Sequence, residues 1–303
     1  MRSNHVRAPL LITALLCLLS TPLFGNRSVA PIIFVDASAA PPAITNRPSA
    51  PPHMVYLPSI TTGGLGPDQK RRAEQLTSLF ENGTIEIQYG YAEALGDGRG
   101  ITAGRAGFTT ATGDALEVVQ LYTSQRPGNL LAPFLPELER LAATESDDIS
   151  GLSGFIDAWA TAASDPLFRA AQDTVVDTLY YQPSAQHADQ LGLQTALARA
   201  VLYDSIIQHG DGDDLDGLPA LLERTRVSAG GTPKTGVDEK VWLKAFIKTR
   251  REDLAHAYDP NTRDVWAQSV GRCDVFSAIA TAGNYDLHGP IVIHTAEYDV
   301  VIP

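Results

Sequence analysis

The chain has 303 residues, 44% hydrophobic and 19% charged, with 23 Lys and Arg against 35 Asp and Glu for a formal charge of −12. That balance suits a folded globular protein and excludes disorder throughout or a fibrous repeat. Arg2, Arg7 and Arg27 are the only charged side chains of the first 30 residues, so the remainder carries −15; a nucleic-acid partner, which needs a basic surface, is not expected, and a polycationic ligand suits the field.

In chain order, Arg2 and Arg7 precede an apolar stretch from Ala8 to Leu19, too short to span a bilayer comfortably. Residues 1–30 read as a signal peptide, which implies a secreted, extracellular protein with no membrane attachment after cleavage. Residues 31–66 are rich in Pro, Ala and Ser and read as a linker. Residues 67–303 are long enough for one sizeable core, expected to be a monomer. With Cys17 in the leader, Cys273 stands alone in the body as a small buried hydrophobe, and no intrachain disulfide is expected. CxxC, HExxH and GxSxG patterns are absent, and neither a metal nor a cofactor is expected.

Pro67, Asp68 and the three-and-four spacing of Ala73, Leu76, Leu79 and Phe80 predict an amphipathic helix ending at Glu81, stopped by Asn82-Gly83. Ile85, Ile87, Tyr89 and Tyr91 alternate, predicting a half-buried strand over 84–91. Gly96-Asp97-Gly98-Arg99-Gly100 breaks regular structure and puts Asp97 and Thr102 on turns. Asp114, with Glu117 three residues on, reads as the N-cap of a helix through Tyr122. Further helices are predicted over 157–172, 188–209, 238–250 and 265–282, with few strand signals after Tyr91. The architecture is therefore mainly α, an α+β fold with a small β element near its start.

Two carboxyls have distinct settings. Glu81 ends a helix, where the carbonyl ends disfavour a second negative charge, which suits a carboxyl kept protonated as a general acid. Asp97 sits on a glycine-rich turn and can stay ionised as a base. The bland alternative makes Glu81 a solvated helix-end acid and Asp97 a turn former. Asp204, between Leu202-Tyr203 and Ile206-Ile207, reads as buried and in need of a cation, for which Arg250, on the face of Leu243, Phe246 and Ile247, is the candidate. The acidic run from Asp211 to Asp216 fails the calcium-loop spacing and reads as a solvated loop.

The series Glu81-Asn82, Tyr89, Asp97-Gly98-Arg99-Gly100-Ile101-Thr102, Gly107-Phe108 and Gly113-Asp114 resembles the signature of the family 46 glycoside hydrolases, the chitosanases. It continues in Asp157-Ala158-Trp159, Tyr203-Asp204, His209-Gly210, Asp238-Glu239, Phe246-Ile247, Arg250 and Gly283-Asn284-Tyr285-Asp286-Leu287, covering about 67 to 303. The resemblance implies a lysozyme-like fold of two lobes flanking a substrate cleft. It also implies an endo-acting hydrolase of β-1,4 bonds in chitosan, working with inversion. Glu81 would be the general acid, Asp97 the general base and Thr102 a hydroxyl that helps hold the water. Asp114, Glu239 and His209 would contact substrate, although Asp114 also fits a plain cap and Glu239 a first-turn dipole partner. Arg99 is counted with the substrate-binding residues; from its position it is expected to orient Asp97, the bland alternative being a solvated turn residue, and by the resemblance Asp204 with Arg250 would form an ionic network behind the base. The rival readings are a lysozyme-like hydrolase of chitin or peptidoglycan, disfavoured by the negative charge, and a non-catalytic chitosan-binding protein.

Overall fold

A computed structural model describes residues 64–260 and 262–303. The predicted signal peptide and nearly all of the predicted linker lie outside the described residues.

Helix α1 (Pro67–Asn82) opens with Pro67 in its first turn. It ends one residue later than predicted, at Gly83, whose φ of 68° lets its N–H reach Leu79 O at 3.0 Å. Ala73, Leu76, Leu79 and Phe80 are buried as the spacing requires. So are Gln75, Thr77 and Ser78, because α1 is covered on more than its apolar stripe.

The strand predicted over 84–91 does not form. Strand β1 (Ala92–Ala94) starts after it, and 84–91 runs as an irregular segment. Its carbonyls are met by side chains instead of a ladder: Ser78 Oγ donates to Glu86 O, and both Trp159 Nε1 (3.0 Å) and Gln172 Nε2 (2.9 Å) donate to Tyr89 O. Strands β1, β2 (Ile101–Ala103) and β3 (Phe108–Thr109) make a small antiparallel sheet. Its register sets Glu93 opposite Thr102 and Thr102 opposite Thr109, so all three side chains share one face. Thr102 therefore lies on a central strand, not on the predicted turn.

The helices expected over 157–172 and 188–209 are each two. Asp165 caps Pro166 and splits the first into α4 (Phe155–Ala162) and α5 (Pro166–Val176). Gly192, in the left-handed region at φ 81°, separates α6 (Gln182–Leu191) from α7 (Ala196–His209). Helix α2 (Asp114–Gln125) follows its prediction, with Gly113 and not Asp114 at the cap position; α3 (Leu135–Thr144) and α8 (Leu218–Ala229) were not predicted. Helix α9 (Glu239–Ala255) is capped by Asp238, and the 265–282 region divides into α10 (Arg263–Trp266) and α11 (Gly271–Thr281). A hairpin of β4 (Ile291–His294) and β5 (Asp299–Ile302), also unpredicted, completes the fold.

Every residue of α7 except Ile207 is buried, and α1, α6, α8 and α11 pack around it. A helix covered on all sides has no amphipathic stripe, and α7 is apolar nearly all round. In the same core an aromatic group centres on Trp159, whose ring meets Phe108, Phe155 and Phe168. It ties α4 and α5 to the small sheet. The mainly helical α+β architecture read from the sequence is the architecture of the described chain.

Candidate active site

One face of α1, strands β2 and β3 with the turn between them, Val176 at the end of α5 and Tyr203 and Ile207 of α7 line a cavity open to solvent, of about 1100 Å³ with its open mouth included. Glu74, Thr77, Ser78, Glu81 and Asn82 line it from α1, successive turns that present one face. Thr102, Thr109 and Asp114 line it from the sheet side, with Tyr180 and Tyr203 opposite.

Glu81 accepts from Arg272 Nη2 at 2.6 Å. Arg272 also lies 3.6 Å from Asp204 Oδ2 through Nη1, and Asp204 Oδ2 accepts from Arg250 Nη1 at 2.7 Å. Thr77 Oγ1 donates to the other Asp204 oxygen. The expected Asp204–Arg250 pair exists, both side chains wholly buried, but it backs Glu81 and not Asp97 as the resemblance implied. Acid, cation, acid, cation alternate along this chain, so its buried charges are mutually compensated; deleting one partner of such a pair costs about 3–5 kcal/mol. Arg272 was missed in the sequence. Its signal there is one Arg beside Cys273, Val275 and Phe276, on what the structure shows to be the buried face of α11.

His209 does not reach the cavity. It is buried, with Nδ1 2.9 Å from Asp216 O and Nε2 accepting from Arg250 Nε at 3.2 Å. Burial and the neighbouring Arg250 hold its pKa well below the ordinary histidine value. It is the neutral end of the Arg250 network, and the structure offers no substrate contact for it. Glu239 is likewise placed elsewhere: its carboxylate accepts from Thr195 N and Oγ1, both 2.8 Å, and from Gln194 N, tying α9 to the start of α7.

Asp97 is exposed on the β1–β2 turn. Arg99 orients it as expected, donating from Nη2 (2.8 Å) and Nε (3.2 Å) to Oδ2 while its own backbone N–H binds Oδ1 (3.1 Å). A planar guanidinium donating twice fixes the carboxylate's direction as a single point charge would not. Arg99 lines the cavity, so Asp97 stands at its rim. Thr102 is 2% exposed, and its Oγ1 is buried with no hydrogen-bond partner among the described residues. A hydroxyl left so beside a cavity lacks the partner that buried polar groups ordinarily have.

Asp114 faces the same cavity. Its Oδ1 accepts from Thr109 N (2.7 Å), Thr112 Oγ1 (2.8 Å) and Ala115 N (2.9 Å), so it braces the β3–α2 corner while lining the site. Burial pushes its pKa up. Arg105, also absent from the sequence reading, lies over the Tyr89 ring and pairs with Glu74 at 3.2 Å and with Asp173.

Two carboxyls on separate elements, one gripped by a buried arginine and one steered by Arg99, are the kind of groups that a two-carboxylate glycoside hydrolase uses. The model of Glycosyl hydrolase family 46 matches residues 75–291, and the chain belongs to that family. It is 60% identical over 240 residues to a chitosanase of Bacillus subtilis (strain 168), covering 79% of this chain and 87% of the relative. A mutant chitosanase of Bacillus subtilis MY002 complexed with 6 GlcN superposes with a TM-score of 0.71 at 60% identity, covering 79% of this chain and 100% of that one. The Gynuella sunshinyii family 46 chitosanase, in complex with chitotetraose, gives a TM-score of 0.70 at 52% identity, covering 79% and 99%.

Proposed function

We propose that this chain is a secreted endo-chitosanase that hydrolyses β-1,4 bonds between glucosamine units with inversion. The observation that carries the reading is that Glu81, Thr102 and Arg99 line one cavity, with Asp97 held beside it by the Arg99 guanidinium. It is supported by relatives that are chitosanases and whose solved complexes hold glucosamine oligomers and chitotetraose. Glu81 donates its proton to the glycosidic oxygen as the C1–O bond breaks. Asp97 takes a proton from the water that attacks C1 from the opposite face, with Thr102 holding that water. Arg272 stabilises the Glu81 carboxylate as the proton leaves. The carboxyls of an inverting pair stand about 6.5–9.5 Å apart in the reacting complex to admit the water. Export rests on the basic, then apolar, character of residues 1–19.

The test is reducing-end release from highly deacetylated chitosan, beside chitin and peptidoglycan. Glu81→Gln and Asp97→Asn, each folded by circular dichroism, are expected to lose about 10²–10⁴ in kcat, the usual weight of a general acid or base. The first product, followed by NMR, should carry the inverted anomer. Chitosan binding without release in the wild type would instead establish a non-catalytic binding protein.

A further inference from the structure

The Arg272 guanidinium touches the Glu81 carboxylate, the Asp204 carboxylate and the ring of Phe80, whose centroid lies 5.4 Å from Cζ. Phe80 is the residue before Glu81 on α1. Its ring is held edge-on between two others, Phe276 at 5.4 Å and 72° and Tyr298 at 5.4 Å and 64°. Phe276 comes from α11, one turn after Arg272 itself. Tyr298 comes from the turn of the β4–β5 hairpin, seated there by its own N–H to Thr295 Oγ1 (3.0 Å) and by Thr295 N–H to its carbonyl (2.8 Å).

The same hairpin is fastened to both helices that carry the pair. The Glu297 carboxylate occupies the space that a side chain at Gly271 would take, at the first residue of α11. At the base of the hairpin, Arg72 of α1 donates to Pro303 O (2.7 Å), just past β5, and to Leu287 O (3.2 Å), while Gln69 donates to Asp286 O (3.0 Å), both in the segment that leads into β4. The hairpin lies almost wholly past residue 291, where the family match ends.

We propose that Tyr298 is a positioning residue for Glu81, acting through Phe80 and Arg272. The hairpin supplies the outer wall of an aromatic stack whose inner member covers the face of the guanidinium. A long flexible arginine is thereby confined to the orientation in which its Nη2 meets the Glu81 carboxylate. Without that wall Phe80 gains room, and Arg272 stabilises the carboxylate formed on proton donation less well. The loss falls on the chemical step and not on substrate binding, because Tyr298 does not line the cavity. The inference rests on Glu81 being the general acid.

Tyr298→Leu and Tyr298→Phe are compared with wild type on chitosan, with Glu81→Gln assayed in parallel. Tyr298→Leu keeps apolar volume and is expected to lose about tenfold in kcat with KM within twofold, since small misplacements at a reacting centre carry large rate costs. Tyr298→Phe retains the ring edge and should restore kcat to within twofold. On an Arg272→Lys background, Tyr298→Leu should change kcat by less than twofold, because the group it acts through is gone. A folded Tyr298→Leu with wild-type kcat, a tenfold loss that persists on the Arg272→Lys background, or a failure of Tyr298→Leu to fold would each overturn the proposal, the last by making the role one of folding. An active Glu81→Gln would overturn the reading of Glu81 itself, whatever Tyr298 does.

Discussion

Thr102 separates function from stability at a single atom. Its hydroxyl is buried without a protein partner, so Thr102→Val removes a polar group whose burial costs energy while keeping the shape. We expect Tm unchanged or raised, by thermal unfolding, and kcat reduced by about ten- to a hundredfold if the hydroxyl holds the water. Away from the cavity, Asp253 makes a pH-dependent contribution. Burial raises its pKa to about 7, against the pull of Arg224. The folded chain thus keeps this proton over a range where the unfolded chain, ionising near 4, has lost it. Stability from this group is full below about 4 and lost as pH rises to about 7. His209, 3.6 Å away, acts in the opposite sense: its lowered pKa means that acidification below about 6.5 charges the unfolded imidazole first and lowers stability. In Asp253→Asn only the His209 contribution remains, and Tm measured from pH 5 to 7 should climb more steeply than in wild type.

Elements show where side chains replaced backbone pairing. The alternation Ile85, Ile87, Tyr89, Tyr91 is real, but no strand lies beside it, and Trp159 and Gln172 take the Tyr89 carbonyl instead. Trp159→Phe keeps the aromatic core and deletes one of those donors. Faster amide exchange confined to 84–91, read by mass spectrometry, is the expected outcome, with a stability loss of about 1–3 kcal/mol. Gly104 sits at φ 72° after β2, and a Cβ there would collide with Gln172 Oε1 (2.5 Å), Phe108 and Trp159 (each 2.9 Å). Left-handed backbone and overpacking act together, so Gly104→Ala should destabilise by about 2–4 kcal/mol in urea unfolding.

At the scale of the molecule, the charge of −15 beyond residue 30 faces a ligand proposed to be polycationic. Long-range attraction between them is screened by salt. Chitosan kcat/KM should fall by about tenfold between low and near-molar NaCl, while kcat at saturation stays within a few-fold. A salt-independent kcat/KM would place recognition in short-range contacts alone.

How much of this was legible beforehand follows from the range over which each feature is decided. Helix α1, its stop at Gly83, the Asp97 turn and the helical class are set by neighbours within a few residues, and propensity, capping and periodicity report such neighbours directly. The Asp204–Arg250 pair was legible because a lone charge among apolar residues demands a partner. Arg272 at Glu81 is 191 residues away in the chain, and nothing local distinguishes it from Arg250 as the cation that meets the acid. For the same reason the partners of His209 and Glu239 were not legible: their helices were read, but which side chain each would meet was not. The sequence by itself determined α1 and its stop, the Asp97 turn, the helical class and the two carboxyls, because those depend on local backbone preferences and residue type. Only the tertiary structure decided that the buried network ends on Glu81, through Arg272, and not on Asp97, because that depends on which helices pack across α7.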